Sequence, residues 1–545
     1  MRIKRLLALF AVLIFAVGAF APVGAQGNNA VVLYPQELDN LNPMYSSMFF
    51  MGITTDLYLA PAWNFDDALE PNPVLVAEVP SVENGGLSED GRTITLTLRE
   101  GLTWSDGEPL TSADFLFTYQ MFSDPANTPN TTYPYGEADG IIESVEAPDE
   151  TTVVVNFVEP FAPWVATLFT AGILPEHILG PEFEANGTLI DAAWNRAPTV
   201  GSGPFVFAEW EIGSFMRFVR NDNYFGNAPS LDQVILRFIP ESDVLLATLL
   251  NNEGDLATFI PFSDVPALEA AGLEAQVVPS GFNEQWVLNI REGLAHPAML
   301  DVRVREALAL ATDREAFTEN ALLGYTYPAP GYWEGSPFAS PDVSAPPFDP
   351  ERAAELLDEA GWVDESGNGI REQDGVELVL RYVTNVRGIR QDAQAVFQQQ
   401  LADVGIGVEL ITYPSDVFFN GFAEGGPVAI GDYDIAQFSQ SPSFPDPNTT
   451  VFRCGQIPTE DSPDGNNYRG YCNEAVEELF AQSERETDFD ARVAIFHQID
   501  ELIAADFVFV GIWYDADTWI VSERLDNVAI SGATPFWNVA DWVAN

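Results

Sequence analysis

Residues 93–114 have the sequence TITLTLREGLTWSDGEPLTSAD, and this short segment contains signals for both kinds of secondary structure. Residues 93–98 alternate between polar and apolar side chains, which is the period of a half-buried β-strand. A glycine-bracketed turn follows at residues 101–107. Residues 111–114 then have a pattern that caps the N-terminus of a helix continuing to Met121. A strand, a turn and a capped helix in this order indicate a mixed α/β protein.

The same mixture continues outward in both directions. Apolar, β-branched runs predict further strands at residues 30–33, 151–157, 231–239 and 507–513. Apolar faces, caps and terminal glycines predict helices at residues 301–323, 350–360, 389–404, 473–486 and 489–505. The second half of the chain is therefore expected to carry more helix than the first.

Composition indicates a folded protein of several domains. Of 545 residues, 82 are acidic and 23 basic, giving a formal net charge of −59, yet 47% are hydrophobic. That much apolar material can fill large cores in spite of charge repulsion. Because one core stops growing at roughly 250 to 300 residues, two or more domains are expected. The charge disfavours nucleic acid and anionic membrane surfaces as partners.

Residues suited to catalysis are scarce. Lys4 is the only lysine, which excludes a lysine Schiff base or a P-loop lysine once residues 1–25 are removed. His177, His296 and His497 lie far apart in the chain, and neither an H-E-x-x-H motif nor paired C-x-x-C motifs occur. No G-x-S-x-G sequence marks a serine nucleophile. We therefore expect a protein that is not an enzyme and that uses no cofactor.

One loop approaches the spacing of a calcium site. Asp364, Ser366 and Asn368 occupy alternate positions before Gly369. The twelfth position, where calcium loops have a bidentate carboxylate, is Gly375. Since Asn-Gly is itself a strong hairpin signal, a plain hairpin turn is the first expectation and calcium binding a minor alternative.

Residues 1–25 have the composition of a secretory signal peptide. A basic start at residues 2–5 precedes an apolar run at residues 6–20, and small residues follow at residues 23–25. The alternative, a membrane anchor, is disfavoured because the apolar run is short and a polar segment follows it. No cysteine follows the expected cleavage position, so no lipid anchor is expected. These features predict an exported protein, periplasmic or extracellular.

Cys454 and Cys472 are the two cysteines of the chain, and they enclose a segment rich in Pro, Asp, Gly and Asn. In an oxidising compartment such a pair is expected to form a structural disulfide. By the loop-entropy relation, a closed loop of this size contributes roughly 3 kcal/mol to stability.

Several aromatic residues lie among Gly, Pro, Asn and Gln, outside helix or strand periodicity. They are Tyr45, Trp63, Trp286, Tyr332, Trp333, Phe438, Phe444, Trp513 and Trp537. Aromatic faces beside amides suit a cleft that holds a polar, extended ligand by stacking and hydrogen bonding. For any one of these rings, ordinary core packing is the alternative. Together they favour a binding protein.

Sequence motifs from residue 87 to residue 473 occur in an order typical of one protein family. Residues 87–92 and 98–114 resemble its most recognisable signature, and residues 201–205 with 220–225 resemble its second. Further similar strings are Asn289 and residues 302–308, 349–350, 360–362, 444–447 and 471–473. The family is that of the large, family 5 solute-binding proteins of ATP-binding-cassette importers, which includes oligopeptide-, dipeptide- and nickel-binding proteins. The resemblance spans nearly the whole chain after residue 25.

This resemblance implies an α/β, two-lobed, periplasmic-binding-protein-like fold of type II, in the large three-domain subclass, with a hinged cleft between the lobes. Domain I is expected to be discontinuous, with residues 26–65, 198–282 and 512–545. Domain II, residues 66–197, is inserted in it, and domain III, residues 283–511, forms the opposite lobe. Lobe closure would bury the ligand, and a membrane permease with its ATPase would receive the closed form. The protein is expected to act as a monomer.

One departure from the family pattern concerns the ligand. In peptide-binding members, an aspartate that binds the terminal ammonium lies four residues before the second proline of the segment matching 444–447. Counting back from Pro447, that position here is Ser443. A neutral hydroxyl cannot replace a carboxylate beside a desolvated ammonium. Asp446 or another acid could substitute, so peptide binding stays the first expectation.

An oligosaccharide is the second ligand expected, because amide and hydroxyl side chains beside aromatic rings suit sugar hydroxyls and ring faces. The predicted ligand-binding residues are Tyr45, Trp286, Gln437, Phe438, Gln440, Ser443, Phe444 and Asp446. Two other classes stay open. A secreted hydrolase would require two carboxylates in one cleft, and an acidic adhesion or surface-layer protein would be expected to contain repeats.

Overall fold

The computed structural model describes residues 27–46, 48–130, 133–136, 140–422, 425–441, 446–460, 465–532 and 534–545. The predicted signal peptide, Ser443 and Phe444 lie outside these ranges. Within them, no helix combines the length and the apolar character that crossing a membrane requires.

Helices and strands alternate along the chain, which confirms the α/β class. The helices are α1 (Phe49–Tyr58), α2 (Ser112–Ser123), α3 (Trp164–Thr167), α4 (Glu176–Asn186), α5 (Ser242–Leu250), α6 (Val265–Ala270), α7 (Val302–Leu310), α8 (Arg314–Ala321), α9 (Pro350–Glu359), α10 (Gly388–Asp403), α11 (Ser415–Phe418), α12 (Pro427–Ile430), α13 (Glu474–Arg485) and α14 (Phe489–Ala505). The strands are β1 (Asn29–Tyr34), β2 (Trp63–Phe65), β3 (Pro71–Pro73), β4 (Thr93–Thr97), β5 (Ile142–Asp149), β6 (Thr152–Phe157), β7 (Phe205–Glu211), β8 (Phe215–Arg220), β9 (Gln233–Phe238), β10 (Leu256–Ala257), β11 (Ala275–Leu288), β12 (Glu372–Gln373), β13 (Val376–Glu377), β14 (Val379–Asn385), β15 (Gly407–Tyr413), β16 (Ile435–Gln440), β17 (Phe509–Val521), β18 (Leu525–Asp526) and β19 (Val543–Ala544).

The segment 93–114 folds as its sequence predicts. Strand β4 pairs antiparallel with β6, which also pairs with β5, to form a small sheet. The Thr111 side chain accepts a hydrogen bond from the backbone of Ala113, and the Asp114 carboxylate accepts one from the backbone N–H of Thr111 at 2.9 Å. This reciprocal cap starts α2, because it satisfies N–H groups that a helix N-terminus leaves without partners.

In the described part of the chain, ten strands form one sheet in the order β15-β14-β16-β11-β17-β10-β1-β9-β8-β7. The two central strands, β11 and β17, are 14 and 13 residues long and pair antiparallel. Strand β11 also pairs with β16 on one side, and β17 with β10 on the other. We call the residues before and after this crossing pair the first lobe, and those between β11 and β17 the second lobe.

The pairing of the crossing strands is interrupted at their centre. The register of β11 against β17 shifts between Pro279 and Asn283 and again between Glu284 and Gln285. Gly281, inside the first shift, has φ +77°, a backbone conformation that L side chains rarely adopt. Such irregularities bend a strand pair and increase its twist. The sheet therefore changes direction where the two lobes meet.

Each lobe buries apolar cores of its own. The largest cluster collects residues from β1 to β10 and adds side chains of the C-terminal segment, among them Trp519, Phe536 and Trp542. Two other clusters lie within the second lobe, one containing Trp286 and Trp513 and one built around Tyr332 and the helices α13 and α14. The C-terminal segment therefore returns to the first lobe after β17.

The prediction of one helix over residues 301–323 is wrong. The structure has α7, which ends at Leu310, and α8, which begins at Arg314. The Asp313 carboxylate accepts a hydrogen bond from the backbone of Ala316 at 3.0 Å. This side chain caps a new helix instead of continuing the old one, as Asp does when it competes with backbone acceptors.

Two local predictions concern the loops of the second lobe. Cys454 and Cys472 are joined by a disulfide, as expected. Asp364 accepts hydrogen bonds from the backbone of Gly367, Asn368 and Gly369 at 2.7 to 3.1 Å. Its carboxylate thus closes its own turn, and the structure offers no support for calcium there.

Candidate ligand-binding crevice

The parallel strands of both lobes end at the same place, beside the interruption in β11 and β17. In the first lobe β1, β9 and β10 are parallel, and β10 ends at Ala257, opposite Ile520, running toward the centre of β17. In the second lobe β14, β15 and β16 are parallel, and β16 ends at Gln440, opposite Asn283. The carboxyl ends of the two sets thus face each other across the crossing strands. Ligands of open α/β sheets bind at such ends, and we call this space the crevice.

The wall of the first lobe contains a cavity beside α1. The rings of Phe49 and Phe50 lie 5.7 and 5.3 Å from the ring of Phe259, which closely follows β10. The cavity next to this contact has a volume of about 520 Å³. It is lined by Pro43, Ser46, Met48, Phe49, Met51, Gly52, Ile53, Thr55, Asp56, Leu59, Pro61, Thr170, Ala171 and Gly172. Its size and mainly apolar lining are typical of small-molecule sites.

Asp56 lies in the wall of this cavity and of a neighbouring one of about 190 Å³. Burial raises the pKa of Asp56 to about 7, and no charged neighbour among the described residues offsets that effect. A carboxylate with a perturbed pKa beside a cavity is a candidate functional group.

The wall of the second lobe is built around Glu284, which is fully buried on β11. Arg390 donates from Nε and Nη2 to the two carboxylate oxygens, each at 2.8 Å. Gln437 Nε2 and Ser439 Oγ donate to the same carboxylate at 2.9 and 2.5 Å. Burial raises the pKa of Glu284, but the Arg390 guanidinium outweighs it and holds the pKa below its ordinary value. Glu284 and Arg390 therefore form a buried, hydrogen-bonded ion pair.

Two more carboxylates lie on β17 at the crossing, which we call the crevice floor. Trp513 Nε1 donates to Asp515 Oδ1 at 3.0 Å, and Arg387 Nη1 lies 3.8 Å from Asp515 Oδ2. Asp517, two residues further along the same face, is only 6% exposed. Burial and the nearby Asp515 raise the pKa of Asp517 to about 8, and burial also raises the pKa of Asp515. The floor is therefore acidic.

The two lobes also touch at a rim away from the crossing strands. The backbone N–H of Ala162, in the first lobe, donates to the carbonyl of Glu484, in the second, at 2.9 Å. Arg485 Nε donates to Glu159 Oε2 at 2.6 Å beside it. The structure thus shows a conformation in which the lobes are in contact.

Known proteins match this chain over most of its length. The family of bacterial extracellular solute-binding proteins, family 5, matches residues 70–456. The chain belongs to this family. The resemblance found in the sequence motifs and the two-lobed fold that it implies are therefore confirmed. Because family 5 consists of extracellular solute-binding proteins, it supports neither the hydrolase nor the surface-layer alternative.

Relatives of this family 5 protein cover nearly the whole chain. The oligopeptide-binding protein AppA of Bacillus subtilis is 27% identical over 537 residues, which are 95% of this chain and 92% of AppA. The structure of AppA in complex with a nonapeptide superimposes with a TM-score of 0.75 at 25% identity, covering 95% of this chain and 99% of AppA. NikZ of Campylobacter jejuni, solved with Ni(L-His), has the same fold, with a TM-score of 0.77 at 20% identity over 94% of this chain and 99% of NikZ.

Strand alternation divides the predicted site residues of this family 5 protein between two faces of the sheet. Trp286 on β11 lies opposite Gln437 on β16, so their side chains share one face. Phe438 and Gln440 are one and three residues further on, so they point to the other face. The predicted residues therefore do not form one cluster.

Trp286 and Gln437 are fully buried inside the second lobe. Trp286 Nε1 donates to Tyr382 Oη at 2.8 Å, and the Tyr382 hydroxyl donates to Gln437 Oε1. Gln437 in turn donates to Glu284. In this conformation both residues support the Glu284 ion pair and have no surface for a ligand.

Phe438 and Gln440 lie on the opposite face, near the crevice. Phe438 is 4% exposed and packs edge-on against Phe418 and Tyr468, with ring centroids 5.8 and 6.3 Å apart. Gln440 is half-buried, and its Oε1 accepts a hydrogen bond from Gln285 Nε2 at 3.1 Å. Of this pair, Gln440 at the end of β16 is the one placed at the crevice.

The remaining predicted residues lie elsewhere. Tyr45 is half-buried against the core of the first lobe, and burial raises its pKa to about 12. The Asp446 carboxylate accepts hydrogen bonds from Arg492 Nη1 and Nη2 at 2.5 and 2.8 Å. Its negative charge is therefore already paired with the Arg492 guanidinium. Ser443 and Phe444 lie outside the described residues, and their role stays a prediction.

Asp56, Asp515 and Asp517 were not among the predicted site residues. Their positions in the sequence nevertheless set them apart. Asp56 is the only charged residue of α1. Asp515 and Asp517 interrupt an otherwise largely apolar strand and are spaced to share a face.

Proposed function

We propose that this protein is an exported receptor that binds a peptide in the crevice and delivers it, by lobe closure, to the permease and ATPase of an ATP-binding-cassette importer. The observation that carries the proposal is the crevice itself, where the strand ends of both lobes face each other across two strands. Such a connection lets two rigid bodies move relative to each other about a few residues. The likeness to AppA, whose structure holds a nonapeptide, supports a peptide as ligand.

We further propose the three-domain layout with domain I at residues 26–65, 198–282 and 512–545, domain II at 66–197 and domain III at 283–511. The crossing strands support the boundaries beside residues 282 and 512, since the register of β11 shifts just before Asn283. The separate sheet β4-β6-β5, together with α2, supports domain II as a unit of its own.

The proposed ligand contacts are those at the carboxyl end of β16. Gln440 ends this strand, and Ser443 and Phe444 follow it in the sequence. Trp286 and Gln437 are proposed to act indirectly, by holding Glu284 in place.

Buried acids without an ion-pair partner among the described residues favour a peptide over a neutral oligosaccharide. Burial raises the pKa values of Asp56 in the first-lobe cavity and of Asp517 on the floor, so both acids are stabilised by a ligand cation that lets them ionise. A ligand that carries an ammonium or guanidinium group supplies an opposite charge, whereas sugar hydroxyls do not. Peptides have such a group at their N-terminus, and some have more in their side chains.

A ligand screen tests the proposal. The exported chain is mixed with peptides of two to nine residues, with oligosaccharides and with Ni²⁺ plus histidine, and its thermal unfolding is followed. Binding at a hundredfold excess over Kd stabilises the folded state by about 2.7 kcal/mol. We expect peptides alone to raise Tm, with the peptide recovered unchanged by mass spectrometry. Stabilisation by oligosaccharides only, or cleavage of the peptide, would contradict the proposal. Light scattering of the complex should show a monomer.

A further inference from the structure

Asp517 borders the crevice from its floor. It lies opposite Val278 in the crossing pair and shares a strand face with Asp515. Arg387, 3.8 Å from Asp515, stands between the carboxyl end of β14 and the start of α10. The face that carries Asp517 therefore meets the crevice where the strands of the second lobe end.

The two guanidinium groups of this cluster, Arg387 and Arg390, form their ion pairs with other carboxylates. Arg390 is bound through two hydrogen bonds of 2.8 Å to Glu284. Arg387 is nearest to Asp515, at a distance beyond that of a hydrogen bond, and its side chain is 46% exposed. Among the residues that the structure describes, Asp517 forms no ion pair of its own, although it is 6% exposed.

The local charges do not balance. Two guanidinium groups, Arg387 and Arg390, face three carboxyl groups, Glu284, Asp515 and Asp517. If all five ionise, one negative charge is left over. An unpaired buried charge is strongly unfavourable, so a buried acid without a partner keeps its proton. This agrees with the raised pKa of Asp517, about 8, which burial and Asp515 cause and which Arg387 offsets only in part.

We propose that Asp517 binds a primary ammonium group of the ligand, either the N-terminus of a peptide or a lysine side chain. The inference rests on the proposed function and specifies which peptides the crevice selects. An ammonium group has three N–H donors and can form a charge-assisted hydrogen bond to the carboxylate. It also supplies the positive charge that the five groups lack.

Four peptides separate the two sources of the ammonium group. They are pentaalanine, N-acetyl-pentaalanine, N-acetyl-Ala-Ala-Lys-Ala-Ala and the same acetylated peptide with norleucine in place of lysine. Calorimetry gives the affinity of each for the protein and for the Asp517→Asn variant. The first two peptides differ only in the N-terminal ammonium group, and the last two only in that of lysine. In one of these two pairs, we expect the protein to bind the peptide with the ammonium group with at least tenfold higher affinity. In the variant that preference should disappear, with little change for the uncharged peptide.

A matched variant controls for the general field of an acidic protein. Asp392→Asn removes one negative charge from an exposed position of α10, in the same lobe. We expect it to leave all four affinities unchanged. Thermal unfolding without ligand checks that Asp517→Asn is folded, which we expect because the substitution removes a buried ionisable group and retains its shape.

Proton release gives a readout that a purely structural role would not produce. With a pKa of about 8, Asp517 is mostly protonated at pH 7 before binding. Binding an ammonium group should ionise it and release a proton. The observed enthalpy should then depend on the ionisation enthalpy of the buffer for the protein and much less for Asp517→Asn.

The outcomes distinguish this inference from the proposed function. If peptides bind but Asp517→Asn keeps the full preference for the ammonium group, Asp517 is not its partner and only this inference fails. If peptides bind without any preference between the paired forms, it fails as well. If none of the four peptides or the screened library binds, the proposed function fails and the inference with it.

Discussion

Arg485 of the second lobe donates from Nε to Oε2 of Glu159 in the first lobe at 2.6 Å, although 326 positions separate the two residues in the chain. The backbone contact from Ala162 to Glu484 lies beside this ion pair. A contact between lobes exists only while they are close together, so each such contact biases the molecule toward the closed form.

The first prediction concerns this rim. Both side chains are more than half exposed, so the ion pair is worth about 0.2 to 1 kcal/mol. Glu159→Gln and Arg485→Gln should each lower peptide affinity by up to about fivefold, measured by calorimetry. Small-angle scattering should show a more open unliganded protein.

Arg352→Gln is the control for the rim variants, because Arg352 pairs with Glu355 and Glu359 inside α9 and does not bridge the lobes. It should leave affinity and scattering unchanged. If the rim variants behave like this control in both measurements, the rim contact does not contribute to closure.

The second prediction concerns the buried ion pair of Glu284 and Arg390. Glu284→Gln leaves the Arg390 guanidinium buried without its counter-charge, which should lower the free energy of unfolding by about 3 to 5 kcal/mol. Denaturant unfolding measures the loss. A double variant, Glu284→Met with Arg390→Met, should be more stable than the single one, because no uncompensated charge remains. A double variant as unstable as the single one would show that packing, and not charge, sets the loss.

The third prediction concerns pH. Asp500 is 1% exposed, and burial raises its pKa from 3.8 to about 6, although the backbone of Ser340 donates to it at 3.0 Å. The folded state therefore holds this proton more tightly than the unfolded state. Its contribution to the free energy of unfolding should fall as pH rises from about 4 to 6, by roughly 3 kcal/mol for a shift of about two units.

Asp500→Asn tests this pH dependence. Denaturant unfolding should show no difference from the unchanged protein near pH 4 and a more stable variant above pH 6. Glu478→Gln, at an exposed position of α13, should show no such trend. A stability difference that is constant between pH 4 and pH 7.5 would mean that Asp500 does not titrate in this range.

The fourth prediction concerns the disulfide between Cys454 and Cys472. Replacing both cysteines by serine should lower the free energy of unfolding by roughly 3 kcal/mol, because the unfolded chain regains the entropy of an open loop. Treatment of the unchanged protein with a reductant should give a similar loss, and the variant should not respond to the reductant. An equal response of both proteins would contradict the assignment.

Sequence patterns predicted many helices and strands, because caps and periodicity act between residues that are close together in the chain. The capping residues Thr111 and Asp114 start α2 as expected, and α14 spans Phe489–Ala505, as its pattern predicted. Strand β17 was predicted only as far as Trp513, although it continues to Val521. The residues after Trp513 include both polar and apolar side chains, because this part of the strand connects the core of the second lobe to that of the first.

The candidate site was harder to predict than the fold. Gln437 and Phe438 are neighbours in the chain and were both predicted to bind the ligand, yet strand geometry sends them to opposite faces. Asp517 was missed because whether a buried acid forms an ion pair depends on which cations fold against it. That information is absent from any local pattern.

The amino-acid sequence alone determined the α/β class, the family and the disulfide, since these follow from periodicity, ordered motifs and the pair of cysteines. Only the tertiary structure decided which of the described buried carboxylates form an ion pair. Asp446 is paired with Arg492, which lies 46 residues further along the chain, and Glu284 with Arg390, whereas Asp517 forms no ion pair among the described residues. The physical reason is that the ionisation of a buried acid depends on its neighbours in space, which folding brings together from distant parts of the chain.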